Sequence, residues 1–357
     1  MLETRNIFID TEYFVKSNFN FSSKQFCTLQ ELCKNDQVRY ILTSVVEQEV
    51  ESKIESSIKD ALNSLQSFRK KASILSTIED PLLSSFFSDV NEEDTYKKAS
   101  HVFHKFNRSC NYDYVEADDI DPENLLELYF SKKPPFGEGK KKSEFPDAIS
   151  LLSLESYIGI DEKLYVVSAD KDLIKFCADN ERFISIESLE RFLDIYNQHT
   201  NIRTVKIKEY ILESIEAIKN MVSEYVNGCD VYNNSTWEDA EVDSFLISSI
   251  GDLDVSVIQV NDEECQLTFD VQVEIDVQVT GPDFTNGVYD KEDGHIYTFG
   301  STTREETLSL DLMCELGLWY EFEGGELKNV EFGDFHIPTT SSGIEISVEE
   351  HQEPDWY

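Results

Sequence analysis

Through residues 1–200, short unbroken apolar runs alternate with stretches of three- and four-residue spacing. The runs at 5–9, 39–43, 163–168 and 182–186 are too short for helices and read as strands buried on both faces. Between the first two, 24–34 has the spacing of a short helix. A long helix begins near Ser44, which can cap it, and carries Val45, Val46, Val50, Ile54, Ile58, Leu62 and Leu65 on helical steps. Asp80-Pro81 interrupts that pattern, and shorter helices are predicted at about 81–89, 93–107 and 122–131. Residues 132–145 concentrate prolines, glycines and lysines and read as a loop. Pro146 suits the first turn of a helix running to about 158, and helices at 171–179 and 187–198 complete the segment. Strands alternating with helices predict an α/β domain in three layers, a central parallel sheet covered by helices on both faces.

After His199-Thr200-Asn201 the rhythm changes. Residues 205–226 predict one amphipathic helix with Ile207, Ile211, Ile215, Ile218, Val222 and Tyr225 on a common stripe. Residues 267–279 then alternate strictly, with Leu267, Phe269, Val271, Val273, Ile275, Val277 and Val279 on one side and polar residues on the other, a long half-buried strand ended by Gly281-Pro282. Further strands are predicted at 253–260, 294–300, 306–323, 326–333 and 343–348. The expected organisation is a first domain over 1–200, a connecting helix over 201–226, and a mainly antiparallel β (α+β) domain over 227–357 with one solvated, acidic face.

Composition adds limits. A chain of 357 residues is long enough for two cores, and 40% apolar content with 23 Phe and 16 Tyr argues for a folded protein throughout. No run approaches the roughly 18 apolar residues of a membrane span, and no signal-peptide stretch opens the chain. Seven scattered cysteines without Cys-x-x-Cys spacing fit reduced thiols, so a cytoplasmic location is expected. His101 and His104 lack companion cysteines and fit an exposed helical face. The formal net charge of −40 is unevenly spread: residues 227–357 hold 31 Asp+Glu against Lys291, Arg304 and Lys328, a balance of −28, leaving −12 for residues 1–226. Screening over roughly 8 Å at physiological salt lets a distant acidic domain coexist with phosphate binding elsewhere. It would also slow encounter with a polyanion.

The chemistry of the first domain lies in its carboxylates. Asp10 follows the run Asn6-Ile7-Phe8-Ile9, and Asp170 follows Leu164-Tyr165-Val166-Val167-Ser168-Ala169. Asp147 and Asp172 lie in first helical turns, and Glu47, Glu49 and Glu51 share the start of the long helix. Each has a structural use as well: Asp10 and Asp170 as helix N-caps, Asp147 and Asp172 as partners of a helix dipole, Glu49 opposite Lys53 one turn on. Their joint placement at strand ends and helix starts is what points to one site, because ligands of a parallel sheet bind at the carboxyl ends of its strands. Carboxylates gathered there call for a hard divalent cation held by oxygen.

The ordered set Ile7-Phe8-Ile9-Asp10-Thr11, Val45-Val46-Glu47-Gln48-Glu49-Val50, Phe145-Pro146-Asp147-Ala148-Ile149 and Val166-Val167-Ser168-Ala169-Asp170-Lys171-Asp172 resembles the PIN-domain nuclease superfamily, from about Asn6 to Tyr196. The resemblance implies a metal-dependent nuclease in which Asp10, Glu49, Asp147 and Asp170 are catalytic, metal-binding acids. Asp172 is an additional ligand candidate, Ser168 a hydroxyl supporting a carboxylate or water, and Mg²⁺ or Mn²⁺ the cofactor. Glu47 and Glu51 compete with Glu49 for the helix-borne position. Two departures stand out: Glu12 replaces the Asn often found two residues after the first Asp, and the stretch 80–145 is long enough to form a helical cap beside the site.

Lys132, Lys133, Lys140, Lys141 and Lys142, with Phe136 among them, lead into Asp147 and are the candidate phosphate contacts, with Arg69-Lys70-Lys71 and Lys97-Lys98 as weaker additions. The reading favoured by the resemblance is a ribonuclease acting on single-stranded RNA, in a toxin-like or defence role, with an acidic C-terminal domain that regulates or recruits a protein partner. Two alternatives stand beside it: a structure-specific DNA nuclease, and a non-catalytic interaction module in which the carboxylates are structural and the −28 domain docks a basic partner or mimics a polyanion.

Overall fold

The computed structural model describes residues 2–136, 144–289 and 296–351. The chain divides into two compact units, 1–199 and 200–357.

In the first unit five parallel strands, β1 (Asn6–Ile9), β2 (Arg39–Thr43), β3 (Asp113–Val115), β4 (Leu164–Val167) and β5 (Phe183–Ile186), form one sheet in the order β3-β2-β1-β4-β5. Its helices are α1 (Thr11–Lys16), α2 (Lys24–Lys34), α3 (Ser44–Lys71), α4 (Pro81–Phe86), α5 (Glu92–Ser109), α6 (Pro122–Phe130), α7 (Phe145–Tyr157), α8 (Lys171–Ala178) and α9 (Leu189–Thr200). The expected α/β/α architecture is present. Ile7, Ile9, Ile41, Leu42, Leu164 and Val167 are fully buried, which explains why these strands read as continuous apolar runs. Strand order reverses between β1 and β4, so the carboxyl ends of these two neighbours form the crevice where such sheets bind ligands.

Three local expectations are corrected. Thr43, not Ser44, caps α3: its Oγ1 accepts from the Val46 N–H at 3.3 Å, while Ser44 is already helical. Part of the region expected as a helical cap belongs to the core, through α5 and β3, while α4 and α6 bury no residue. Phe103 and Phe106 of α5 are buried against Phe14, Phe21 and Phe26, and β3 extends the sheet. Phe136, read among the phosphate-binding lysines, is buried against Tyr129 and Phe145, so its ring has no free face for a base.

The second unit opens with α10 (Arg203–Glu213) and α11 (Ile215–Asn227), two helices where one was expected, broken at Ser214. The break lets Ile207 and Ile211 of one helix and Ile218, Val222 and Val226 of the other share a core with Val271, Val273, Ile275, Val277 and Val279. The strands are β6 (Val231–Asn233), β7 (Glu241–Ile250), β8 (Asp254–Val260), β9 (Glu264–Pro282), β10 (Val288–Tyr289), β11 (Ile296–Tyr297), β12 (Ser301–Glu323), β13 (Glu326–His336) and β14 (Ile344–Ile346). The main sheet is antiparallel in the order β13-β12-β9-β7, with β8 also on β9, whereas β14 and β6 pair in parallel. The strand expected at 294–300 is the short β11, and 294–295 lie outside the described residues. Along β9 the inward residues are buried and Asp270, Gln272, Glu274 and Asp276 face water. Neighbouring hydroxyls serve this acidic face: Ser249 donates to Glu274 at 2.7 Å and Thr307 to Asp276 at 2.6 Å. No helix among the described residues is long and apolar enough to cross a membrane.

Candidate active site

Asp10 leaves β1 at its carboxyl end with extended backbone and caps α1. Its N–H donates to Val167 O of β4 at 3.0 Å, which fixes it in the crevice between the two strands. Oδ1 accepts from the Thr11 N–H at 2.8 Å, and Oδ2 accepts from the buried Ser168 hydroxyl at 3.0 Å. Ser168 Oγ in turn accepts from the Asp170 N–H at 3.1 Å, so one hydroxyl ties the first acid to the loop carrying the last. Asp10 is 7% exposed, and burial pushes its pKa up to about 6 against those hydrogen bonds, with Glu49 and Glu12 adding repulsion.

Glu49 enters from α3. Thr11 Oγ1 donates to Glu49 Oε2 at 2.8 Å, across 38 positions of sequence. The competition among the three glutamates has a geometric answer. Glu47 and Glu51, one turn apart on α3, are engaged by α5 and β3: His104 lies 3.6 Å from Glu47 and 2.8 Å from Glu51, Tyr114 donates to Glu47 at 2.8 Å and Ser100 to Glu51 at 3.0 Å. That leaves Glu49 as the one beside Asp10. His104 is thus a partner of two carboxylates.

Asp147 comes from the first turn of α7, which a buried hydrogen bond of 2.8 Å between Thr43 Oγ1 and Ser150 Oγ sets against the carboxyl end of β2. Burial, a hydrogen bond to the Glu144 carboxyl, and the charges of Asp10, Glu49 and Glu144 push its pKa up to about 8. The sequence reading missed Glu144. Its signal was an acid three residues before Asp147, a helical spacing just outside the recognised motif.

Asp147 therefore stands within electrostatic reach of Asp10, Glu49 and Glu144, and Asp10 within reach of Glu49 and Glu12. Asp170 is joined to them through Ser168, while its own Oδ1 caps α8, accepting from the Asp172 N–H at 2.6 Å and the Leu173 N–H at 3.2 Å. Asp172 is buried and pairs with Lys175 at 3.0 Å, a cation already supplying its counter-charge. Among the described residues no group of three or more Asp, Glu, His or Cys side chains is gathered tightly enough to hold a metal ion as it stands. The donor chemistry nonetheless fits a hard divalent cation: every donor is a carboxylate oxygen, and the leading influences on Asp10 and Asp147 include no cation.

Of the proposed phosphate contacts, Lys133 pairs with Glu127 at 3.1 Å, and Lys132 stands beside it with a left-handed backbone (φ 53°). Lys140, Lys141 and Lys142 lie outside the described residues. Three of the five weaker additions are occupied: Lys97 pairs with Glu93 at 2.5 Å, Lys98 with Asp94 at 2.7 Å, and Arg69 donates to the Phe86 and Ser88 carbonyls. All seven cysteines are free thiols.

Residues 7–173 match the family model of the PIN domain. No curated protein and no solved structure matches the chain.

Proposed function

The N-terminal unit belongs to the PIN-domain family, a nuclease superfamily, and from that premise we propose that this protein is a divalent-metal-dependent endoribonuclease acting on single-stranded RNA in the cytoplasm. The observation that carries the reading is the convergence of Asp10, Glu49 and Asp147, from three separated segments, on one partly buried acidic crevice at the point where strand order reverses. Asp10, Glu49 and Asp147 would hold Mg²⁺ or Mn²⁺, with Asp170 completing the set. Asp172 is the weaker candidate because Lys175 neutralises it. Bound there, the ion supplies charge neutralisation at the scissile phosphate and a water of lowered pKa. The chain's own groups do the rest. Ser168 and the Thr11 N–H hold both oxygens of Asp10 in place. Asp147 or Asp170, in its carboxylate form once the ion's charge offsets the repulsion around it, would orient the attacking water and take its proton. The preference for RNA and the toxin-like or defence role follow the family resemblance. Lys132, Lys133, Lys140, Lys141 and Lys142 are the proposed grip on the phosphate backbone.

The acidic second unit serves as the regulatory or recruiting part, with a basic protein partner as the fitting ligand for its sheet face. That face also supports a second reading, in which the whole chain is a non-catalytic interaction module. Purified protein with Mn²⁺ and labelled single-stranded RNA separates the two. The enzyme reading expects cleavage that disappears in Asp10→Asn and in Asp170→Asn while both variants stay folded. Absence of cleavage under any divalent ion, or cleavage that survives both substitutions, goes against it.

A further inference from the structure

Resting on the nuclease reading above, we propose that Thr11 is a positioning residue of the acidic site, bracing Glu49 against Asp10 so that the two carboxylates present themselves together to a divalent cation. Thr11 is 8% exposed and opens α1 directly after Asp10. Its two polar hydrogens go to two different acids: the backbone N–H to Asp10 Oδ1 and the hydroxyl to Glu49 Oε2, both at 2.8 Å. Thr11 opens α1, so no preceding helical turn offers its hydroxyl a carbonyl. Here the hydroxyl crosses to α3 instead. It has a single hydrogen to donate, and that hydrogen is committed to Glu49.

The geometry suits a ligand-bracing role. Glu49 is a long side chain with considerable rotamer freedom, and ordering it for a metal has an entropic cost. A hydroxyl fixed on Oε2 sets that order in advance and leaves Oε1 and the second lone pair of Oε2 for a ligand. Ser168 does the same for the other side of Asp10, so the hydrogen-bonded chain runs Glu49, Thr11, Asp10, Ser168, Asp170. Supporting hydroxyls of this kind typically account for about 10–100-fold in metal affinity.

The test is Mn²⁺ titration of the metal-free full-length chain by calorimetry, with thermal melts to verify folding. Thr11→Val keeps the size and the N–H to Asp10 but removes the hydroxyl; it should weaken Mn²⁺ binding about 10–100-fold. Thr11→Ser should restore it. In a Glu49→Ala background, Thr11→Val should add no further loss, because its target is gone; a residue needed only for packing would subtract the same amount from both backgrounds. Unchanged Mn²⁺ affinity in Thr11→Val, failure of Thr11→Ser to rescue, or equal losses in the two backgrounds overturns the proposal. If Thr11→Val does not fold, Thr11→Ala is measured in its place, and loss of folding in both overturns the positioning role in favour of a structural one. A wild-type chain that binds no Mn²⁺ refutes the nuclease reading itself, an outcome distinct from any of these.

Discussion

Replacing Asp10 by Asn should make the metal-free protein more stable at neutral and alkaline pH while depriving it of its function. Asp10 has its pKa raised from 3.8 to about 6, mainly by burial. The folded state therefore holds this proton more tightly than the unfolded chain. Between about pH 4 and pH 6 the native state binds more protons than the unfolded state, so stability falls as pH rises. Above about pH 6 the full penalty of a buried charge persists. At about 1.4 kcal/mol per pKa unit, the difference of roughly two units amounts to about 3 kcal/mol. Asn carries no charge at any pH, keeps a carbonyl oxygen for the Thr11 N–H, and offers its NH₂ to Ser168 Oγ. Asp10→Asn should thus match the wild type near pH 4 and exceed it by up to about 3 kcal/mol above pH 6, roughly 6–12 °C in Tm for a unit of this size. Urea titrations in EDTA across that range measure it. With Mn²⁺ at about a hundred times its Kd the wild type should gain about 2.7 kcal/mol and the variant far less. A stability difference that does not change with pH, or a variant less stable than the wild type above pH 6, would refute the reasoning.

Glu49→Gln and Asp147→Asn should each lower Mn²⁺-dependent cleavage of single-stranded RNA by at least about a hundredfold, since losing part of a charge clamp worth several kcal/mol removes a factor of ten per ~1.4 kcal/mol; gel assays on folded protein measure this. Neutralising Lys132, Lys133, Lys140, Lys141 and Lys142 together should weaken RNA binding and flatten its salt dependence, by up to about 0.7 in the log–log slope for each phosphate on a single strand that no longer meets a lysine; binding titrations at several salt concentrations measure the slope. Ile218→Ala, at a fully buried position of the second core, should cost about 2–5 kcal/mol in the denaturant unfolding of that unit and leave Mn²⁺ binding unchanged.

The parallel strands were legible because burial on both faces writes them as unbroken apolar runs: Ile7-Phe8-Ile9, Tyr40-Ile41-Leu42 and Tyr165-Val166-Val167 can be little else. β3 was not, since Asp113-Tyr114-Val115 is a three-residue edge strand with one buried side chain. β7 escaped for a different reason. Register shifts between Val242 and Ser244 and between Ile247 and Ser249 insert extra residues, which breaks the alternation that announces a strand. The break at Ser214 was hidden because serine is ordinary in a helix and the apolar stripe continues on both sides of it. At the site, Asp10 and Asp147 could be read from their place after a strand and at a helix start. The choice of Glu49 over Glu47 and Glu51 could not, because His104, Ser100 and Tyr114, which engage the other two, lie on elements at least 49 positions away. The role of Thr11 was invisible for the same reason: it lies in meeting Glu49, 38 positions on.

The central claim is that Asp10, Glu49 and Asp147 form one pocket for a divalent cation. Anomalous scattering from a crystal soaked in Mn²⁺ tests it directly. A manganese peak bounded by these three carboxylates is the expected result. Manganese bound elsewhere on the chain, with that crevice empty, would contradict it.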